Sequence, residues 1–360
     1  PALAAVAGGL IGLTCQGNST AELNGVTIND RRSEDEWTGT GILSFRPNND
    51  VLLYASYSRG YKAGGFNLDR SALSRFLVGN EPIGPVLPTA SLENLIFEPE
   101  TVDAIEIGAK YNGPGFDLNV AAFHQVFEGF QLNTFNGVFF EVEKVNACKD
   151  DLGGADTDND STTGACPGGT KGGVKSMGVE VEAFMRPMED VGVNLGATVV
   201  DTQYRNNLVG VDGAPLSRSL FQLPGRRISN SSLWTLTGAF TYTPPIGGSG
   251  LSGLFYVDGR YQSEFNTGSD LDLEKLQDDY FVVNARIGLR GPDDAWGIEL
   301  WGQNLFDENY QQVAFDMPIQ GATGTTIRGV EQRFYPRATQ LFGSFLAEPR
   351  TYGVTVRTRF

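Results

Sequence analysis

Charged side chains in this chain keep to one parity, segment after segment. In FVVNARIGLR, Val283, Ala285, Ile287 and Leu289 alternate with Asn284, Arg286 and Arg290. In VEVEAFMRP, Val179, Val181, Ala183 and Met185 alternate with Glu180, Glu182 and Arg186, and in AIEIGAKY, Ile105, Ile107, Ala109 and Tyr111 alternate with Glu106 and Lys110. The last segment repeats this, with Tyr352, Val354, Val356 and Phe360 on one parity and Thr351, Thr355, Arg357 and Arg359 on the other. Successive side chains of a strand face opposite sides, so each segment predicts a ribbon with one aliphatic and one ionic face. A soluble sandwich and the wall of a membrane barrel both satisfy that pattern.

The spacing of the connectors separates the two. Short turns rich in Pro, Gly, Asn and Asp fall at RPNND (46–50), YNGPGF (111–116), RPMED (186–190), YTPPIGGSG (242–250) and RGPDDAW (290–296). Long polar stretches fall between them, at about 62–98, 136–173, 206–230, 265–279 and 306–349. In an up-and-down antiparallel sheet every second connection emerges on the same side, and outer-membrane barrels put short turns on one side and long loops on the other. A Greek-key sandwich has no reason to sort them. The expectation is therefore an all-β, transmembrane, antiparallel up-and-down β-barrel wall. An Arg or Lys facing the bilayer midplane costs about 2–4 kcal/mol, so the ionic parity is assigned to the lumen. Tyr111, Phe116, Tyr242, Trp296 and Phe360 fall at strand ends on the short-turn side, where an interfacial aromatic girdle belongs. His124 shares parity with Val120, Ala122 and Val126 and calls for a bulge or a place near the outer rim.

Composition agrees where it decides anything. The 46 glycines, 23 phenylalanines and 12 tyrosines come with no long 3.6-residue apolar period, which disfavours helix. Forty-three acidic against 27 basic residues exclude nucleic acid as a partner class. One histidine rules out multi-histidine metal sites, and no Ser or Cys nucleophile has a motif with a base, so an enzyme is not expected. PALAAVAGGLIGL at the start is too short for a spanning helix and lacks a basic leader, and reads as the interior of a longer protein.

Counting back from the end, strands are expected near 350–360, 295–305, 280–290, 251–264, 231–242, 191–205, 174–187, 116–135, 99–111, 51–61 and 37–46, with a weak twelfth within the first 14 residues. Residues 1–36 are read as that first strand and a loop, and 37–360 as barrel. Cys148 and Cys166 flank one Gly/Asp-rich loop and suit a local disulfide, the alternative being two free thiols; Cys15 has no assignment. Within that loop, DTDND sets Asp156, Asp158 and Asp160 at alternate positions, either as partial ligands for Ca²⁺ or as a solvated acidic tip. Ser161 stands where a calcium loop needs glycine.

VLLYASYSRGYKAGGFN (51–67), FEPETVDAIEIGAKY (97–111), GFQLNTFNG (129–137), NLFDENY (304–310) and EPRTYGVTVRTRF (348–360) resemble, in this order, the carboxy-terminal half of the TonB-dependent outer-membrane receptors. The resemblance implies about twelve strands of a 22-stranded barrel in the bacterial outer membrane, with no tightly bound cofactor. It also implies an amino-terminal plug, here absent, and import of a scarce ligand such as a ferric siderophore with energy relayed by TonB. The alternative is a passive porin-like or secretion pore. It further implies that Tyr352, Val354, Val356 and Phe360 form the signal read by the barrel-assembly machinery. Ligand contacts are expected from Arg59, Tyr61, Lys62 and Asn67 in SRGYKAGGFN, and from Tyr310, Arg328, Arg333 and Tyr335 in the last long loop, which offer cationic, aromatic and amide groups at the outer mouth.

Overall fold

The structure, a computed structural model, describes residues 29–68, 92–135, 140–150, 152, 163–217, 219–316, 326–327, 330–331 and 342–359. Eleven strands follow one another as hydrogen-bonded antiparallel neighbours in a single sheet. They are β1 (Gly39–Phe45), β2 (Val51–Lys62), β3 (Glu100–Gly113), β4 (Phe116–Glu128), β5 (Val174–Met188) and β6 (Val191–Tyr204). They continue as β7 (Trp234–Tyr242), β8 (Leu251–Gln262), β9 (Tyr280–Arg290), β10 (Trp296–Gln303) and β11 (Thr351–Thr358). Sequence order is spatial order, so every connection joins neighbours and short and long connectors emerge at opposite ends of the wall. The weak strand expected in the first 14 residues lies outside the described residues.

Register aligns the two parities across the whole wall. Ile107 lies opposite Ala55 and Ala122, Leu300 opposite Ile287 and Val354, and Ile298 opposite Leu289 and Val356. On the other face Glu106 meets Ser56 and Phe123, Arg286 meets Tyr256 and Trp301, and Glu299 meets Thr355. A slip of one residue in any strand would exchange these faces. Among the described residues nothing packs on the aliphatic face: Ile105, Ile107, Leu195, Ile287, Leu300, Val354 and Val356 are each 50–65% exposed. A continuous apolar surface of this extent is costly to leave to water, at about 1.5–3 kcal/mol per large aliphatic side chain. No helix among the described residues is long and apolar enough to cross a membrane.

The short-turn end carries the expected aromatic contacts. Tyr111 and Phe116 rings lie 6.1 Å apart across the β3–β4 turn, and Tyr242 stacks with Phe255 at 6.1 Å. Phe360 lies outside the described residues. His124 needs no bulge: its register with Ile105 and Met177 is regular, and it is exposed on the aliphatic face in the row that also holds Tyr57 and Asp201. Asp201 pairs with Arg227 at 3.5 Å, so that row is already polar.

The long connectors depart from the sequence expectation. The segment read as one strand over 116–135 is two: β4 ends at Glu128, Gly129 takes φ +65°, and Phe130–Phe135 leaves the wall. A residue with a Cβ disfavours that conformation, so glycine is where the ribbon can change direction. Phe130–Phe135 then pairs with Phe140–Cys148, which in turn takes Thr170–Gly172 and Leu208–Val209 as partners, making a four-stranded sheet whose last three members were read as loop. Among the described residues, a dry apolar core joins Leu132, Val145 and Leu208 of this sheet to Val174 and Tyr204 at the ends of β5 and β6 and to Leu216, Leu220, Leu223 and Leu271. Cys148 and Cys166 are joined in a disulfide with Cα atoms 5.5 Å apart, packed on Val209 and Leu152. Closing a loop of that length restrains the unfolded chain by about 3 kcal/mol in the chain-entropy view. We call this assembly of long connectors the crown.

Candidate functional site

The ionic face of the wall holds two chemically different patches. The first lies on β2 to β5, where Tyr54, Glu106, Lys110, Asn119, Glu180 and Glu182 line a concavity of about 150 Å³. Tyr54 Oη donates to Glu106 Oε1 at 2.7 Å and Asn119 Nδ2 donates to Glu182 Oε2 at 3.3 Å. Three carboxylates against Lys110 leave this patch acidic. Strands place them here because Glu106, Glu180 and Glu182 all sit on the parity opposite the aliphatic residues.

The second patch, on β8 to β11, is richer in arginine and aromatic rings. Asp258, Asn284, Arg286, Glu299, Trp301, Gln303, Thr355 and Arg357 line a concavity of about 300 Å³. The Arg286 guanidinium lies 5.3 Å from the Tyr256 ring centroid, a cation–π distance, and Trp301 Nε1 donates to Thr355 Oγ1 at 3.1 Å. Asn284 Nδ2 donates to Asp258 Oδ2 at 2.8 Å. Glu299 is buried between Arg290 at 3.6 Å and Arg357 at 3.8 Å, one carboxylate shared by two guanidiniums. Toward the long-loop end, Tyr310 stacks on Tyr280 with centroids 3.9 Å apart and planes at 11°. Tyr280 Oη and Arg260 Nη2 both donate to Gln262 Oε1, at 2.8 and 2.7 Å. A wider concavity of about 500 Å³ joins Glu182 and Asn194 to Asp258, Arg260, Tyr280 and Tyr310. The patch offers rings to stack on, guanidiniums for anionic groups and amides for hydrogen bonds.

The residues expected to meet ligand fall in different places. Tyr310 reaches the ionic face and lines two concavities. Lys62 ends β2 on that face, opposite Glu100. Arg59 and Tyr61 do not share it: they lie on the aliphatic parity with Ala55 and Tyr57, at the long-loop end of β2. There Arg59 Nη1 pairs with Asp103 Oδ2 at 2.8 Å and Tyr57 Oη donates to Asp103 Oδ1 at 2.6 Å. Asn67 is buried and pins the crown, accepting from Val142 N–H at 2.7 Å and donating to Val142 O at 3.3 Å. Arg328, Arg333 and Tyr335 lie outside the described residues, as do Asp156, Asp158 and Asp160. Tyr352, Val354 and Val356 share the aliphatic face of β11, each more than 60% exposed.

The sequence reading passed over Arg260, Arg286 and Trp301 as ligand groups, although their parity with Tyr256, Asn284 and Glu299 in their respective strands carried the signal. It also passed over two charged clusters in the crown. Arg32 bonds both Glu34 and Glu98, and Glu34 Oε2 accepts from Gly64 N–H at 3.0 Å. Hydrogen bonding to Arg32 holds the carboxyls of Glu34 and Glu98 below the usual range. The other cluster, Asp270, Asp272 and Asp316 about Lys275, is fully buried.

The family described as TonB dependent receptor-like, beta-barrel matches residues 16–305 of the chain. Among solved structures, the ferric yersiniabactin uptake receptor FyuA from Yersinia pestis superposes with a TM-score of 0.57 at 15% identity, covering 90% of this chain and 37% of that one. The siderophore receptor PiuA from Acinetobacter baumannii gives 0.52 at 15% identity, over 89% of this chain and 35% of that one. The copper transporter OprC gives 0.51 at 13% identity, over 90% and 39%. The chain thus spans little more than a third of the length of the structures it matches.

Proposed function

The chain belongs to the TonB-dependent receptor-like β-barrel family, and from that premise we propose that it is the carboxy-terminal wall of a bacterial outer-membrane receptor that imports a scarce ligand, a ferric siderophore or similar, with energy coupled through TonB. The observation that carries this reading is the division of the ionic face. A uniformly charged lumen suits bulk ion conduction, whereas rings, guanidiniums and amides gathered on β8 to β11 suit the capture of one bulky anionic ligand. Of the proteins with a similar fold, FyuA is named as a ferric yersiniabactin uptake receptor and PiuA as a siderophore receptor, which favours that class.

The acidic patch on β2 to β5 has a different use in this reading. Glu106, Glu180 and Glu182 present more negative charge than Lys110 offsets, and would seat cationic groups of a plug inside the lumen. TonB would reach the receptor through that plug. Outer-membrane lipid would cover the aliphatic face, and the barrel-assembly machinery would read Tyr352, Val354, Val356 and Phe360. A Ca²⁺ ion at Asp156, Asp158 and Asp160 stays a proposal of the sequence alone.

The test is uptake of ferric siderophores by cells expressing the full receptor, with and without TonB. Uptake is expected to require TonB and to fall at least tenfold in Arg286→Ala with Trp301→Ala, while Arg59→Ala, on the aliphatic side, leaves it within about twofold. Equal permeation of small solutes with and without TonB would instead identify the passive pore.

A further inference from the structure

Charge on the aliphatic face of the wall is confined to one corner. On β7 to β11 no residue of that parity is charged, and the long-loop end there carries the rings of Trp234, Tyr261 and Phe281. On β2 to β6 the same face ends differently. Arg59, Asp103, Val126, Lys175, Gln203 and Arg227 lie opposite one another in turn and make one continuous row. The row beneath it holds Tyr57, Ile105, His124, Met177 and Asp201, and below that the face is uncharged down to the Val51–Tyr111 pair.

Strand geometry gives the height of the charged row. From Val51 to Arg59, β2 climbs about 27 Å at about 3.4 Å per residue. A tilt of about 40° turns that into about 20 Å along the barrel axis, close to the height of about 25 Å that an apolar band spans. The Tyr111 and Phe116 rings mark one margin of the band, so the row stands at the other, on the long-loop side. In a wall that spans a bilayer, side chains at that level meet lipid headgroups, not acyl chains.

The charges within the row are not equivalent. Arg59 Nη1 is taken up by Asp103 Oδ2 at 2.8 Å, and Tyr57 closes the other oxygen of the same carboxylate. Asp201 accepts from Gln203 Nε2 at 2.5 Å and lies 3.5 Å from Arg227 Nε, a contact that uses one of the five guanidinium donors. Among the described residues Lys175 has no ion-pair partner. Glu128, the acid one row further out, lies in the field of Lys144 of the crown. Lys175 and Arg227 flank Gln203 on its two sides, and directly opposed Cβ atoms are about 5 Å apart, so the two long side chains can converge on one tetrahedral anion. Their stems lie on the wall and their heads stay accessible: Lys175 is half-buried and the Arg227 side chain is 33% exposed.

We propose that Lys175 and Arg227, spaced by Gln203, form a site for the phosphorylated headgroup of a lipid in the leaflet on the long-loop side, with its acyl chains on the aliphatic face below. The occupant is a lipid because the two cations border directly on apolar rows. Met177 and Val179 continue beneath Lys175 on the same strand, each more than 40% exposed, and chains joined to the bound headgroup cover them. The site rests on the reading of this chain as the wall of an outer-membrane barrel.

The test is native mass spectrometry of the full receptor, released from micelles that contain dioleoyl phosphatidate, dioleoylglycerol or dioleoyl phosphatidylcholine at equal mole fraction. The first two share their acyl chains and differ in the phosphate. One phosphatidate is expected to stay bound at collision energies that strip the other two lipids. Its affinity should fall about fivefold in Lys175→Gln or Arg227→Gln and about twenty-fivefold in the double variant, while Lys175→Arg keeps it. Arg46→Gln, at the short-turn end, should leave it unchanged. Equal retention of phosphatidate and dioleoylglycerol by the wild type would overturn the site, and that comparison decides even where a variant does not fold. Unchanged retention in the folded double variant would overturn it, and so would an equal loss in Arg46→Gln, which would show a response to total charge alone. Displacement of phosphatidate by equimolar inorganic phosphate would overturn the lipid assignment by making the ligand a soluble anion. TonB-dependent uptake, measured in parallel, separates the two readings: uptake without a preference for phosphatidate sinks the headgroup site alone, and retention of phosphatidate without uptake sinks the transport reading alone.

Discussion

The wall and the crown solve opposite problems with the same residue types. On the wall, Ile105, Leu300 and Val354 leave at least half their surface uncovered, while in the crown Val145, Leu208 and Leu223 have none exposed. The crown behaves as a soluble domain, excluding water from an apolar centre and closing its perimeter with a disulfide. The wall is turned inside out: its apolar groups face outward and, apart from a group near its long-loop end that includes Arg59, Asp103 and Asp201, its ions gather on the ionic face, where Glu299 takes two arginines and Arg286 lies over Tyr256. Under the proposed reading the solvent differs on each side, and the chain obeys the same rule in both regions.

That contrast can be broken most severely in the crown. Leu223→Ala, in a fully buried position, is expected to cost about 2–5 kcal/mol of crown stability. Limited proteolysis should then cut the long connectors while β1 to β11 stay resistant. Loss of the whole barrel would mean that the two regions fold as one unit.

On the wall the sign of a substitution should depend on parity alone. Val354→Arg is expected to cost about 2–4 kcal/mol near the bilayer midplane, as read by urea titration of folding into phospholipid vesicles. Thr355→Arg, one residue on and facing Glu299, should be near neutral. Similar costs for both would remove the distinction between the faces.

A smaller effect sharpens the border between crown and solvent. Because Arg32 holds Glu34 and Glu98 below the usual carboxylate range, their ion pairs are fully formed above that range and are lost as pH falls through the depressed values. A nitroxide at Asp35→Cys should gain mobility on acidification, and Glu98→Gln should weaken the response.

How much of this was written locally in the chain differs between the same two regions. The wall was legible because each strand carries its own test: Glu180 and Glu182 alternate with Val179 and Val181, and a slip puts charge on the aliphatic face. Even the outward placement of Arg59 and Tyr61 is encoded, since they share parity with Leu53 and Ala55. Of the crown the Cys148–Cys166 disulfide was legible, but its core was not, because it is assembled from distant pieces. Leu216, Leu220 and Leu223 lie in a stretch rich in Pro, Ser and Arg, and become a core only against Val145, Val174 and Leu271. Phe130 and Leu132 continue the alternation of β4, so nothing in the pattern marks the exit at Gly129 except the glycine. Lys275 among its three aspartates was equally hidden, because Asp316 is forty-one residues away along the chain.

The direct measurement is the environment of neighbouring positions on the last strand. Single nitroxides at Val354, Thr355, Val356 and Arg357, in the receptor embedded in a bilayer, report collisions with oxygen, which concentrates in hydrocarbon, and with a nickel chelate, which stays in water. Oxygen should dominate at Val354 and Val356 and the chelate at Thr355 and Arg357. The reverse alternation, or chelate access at all four, would show that lipid does not cover the aliphatic face.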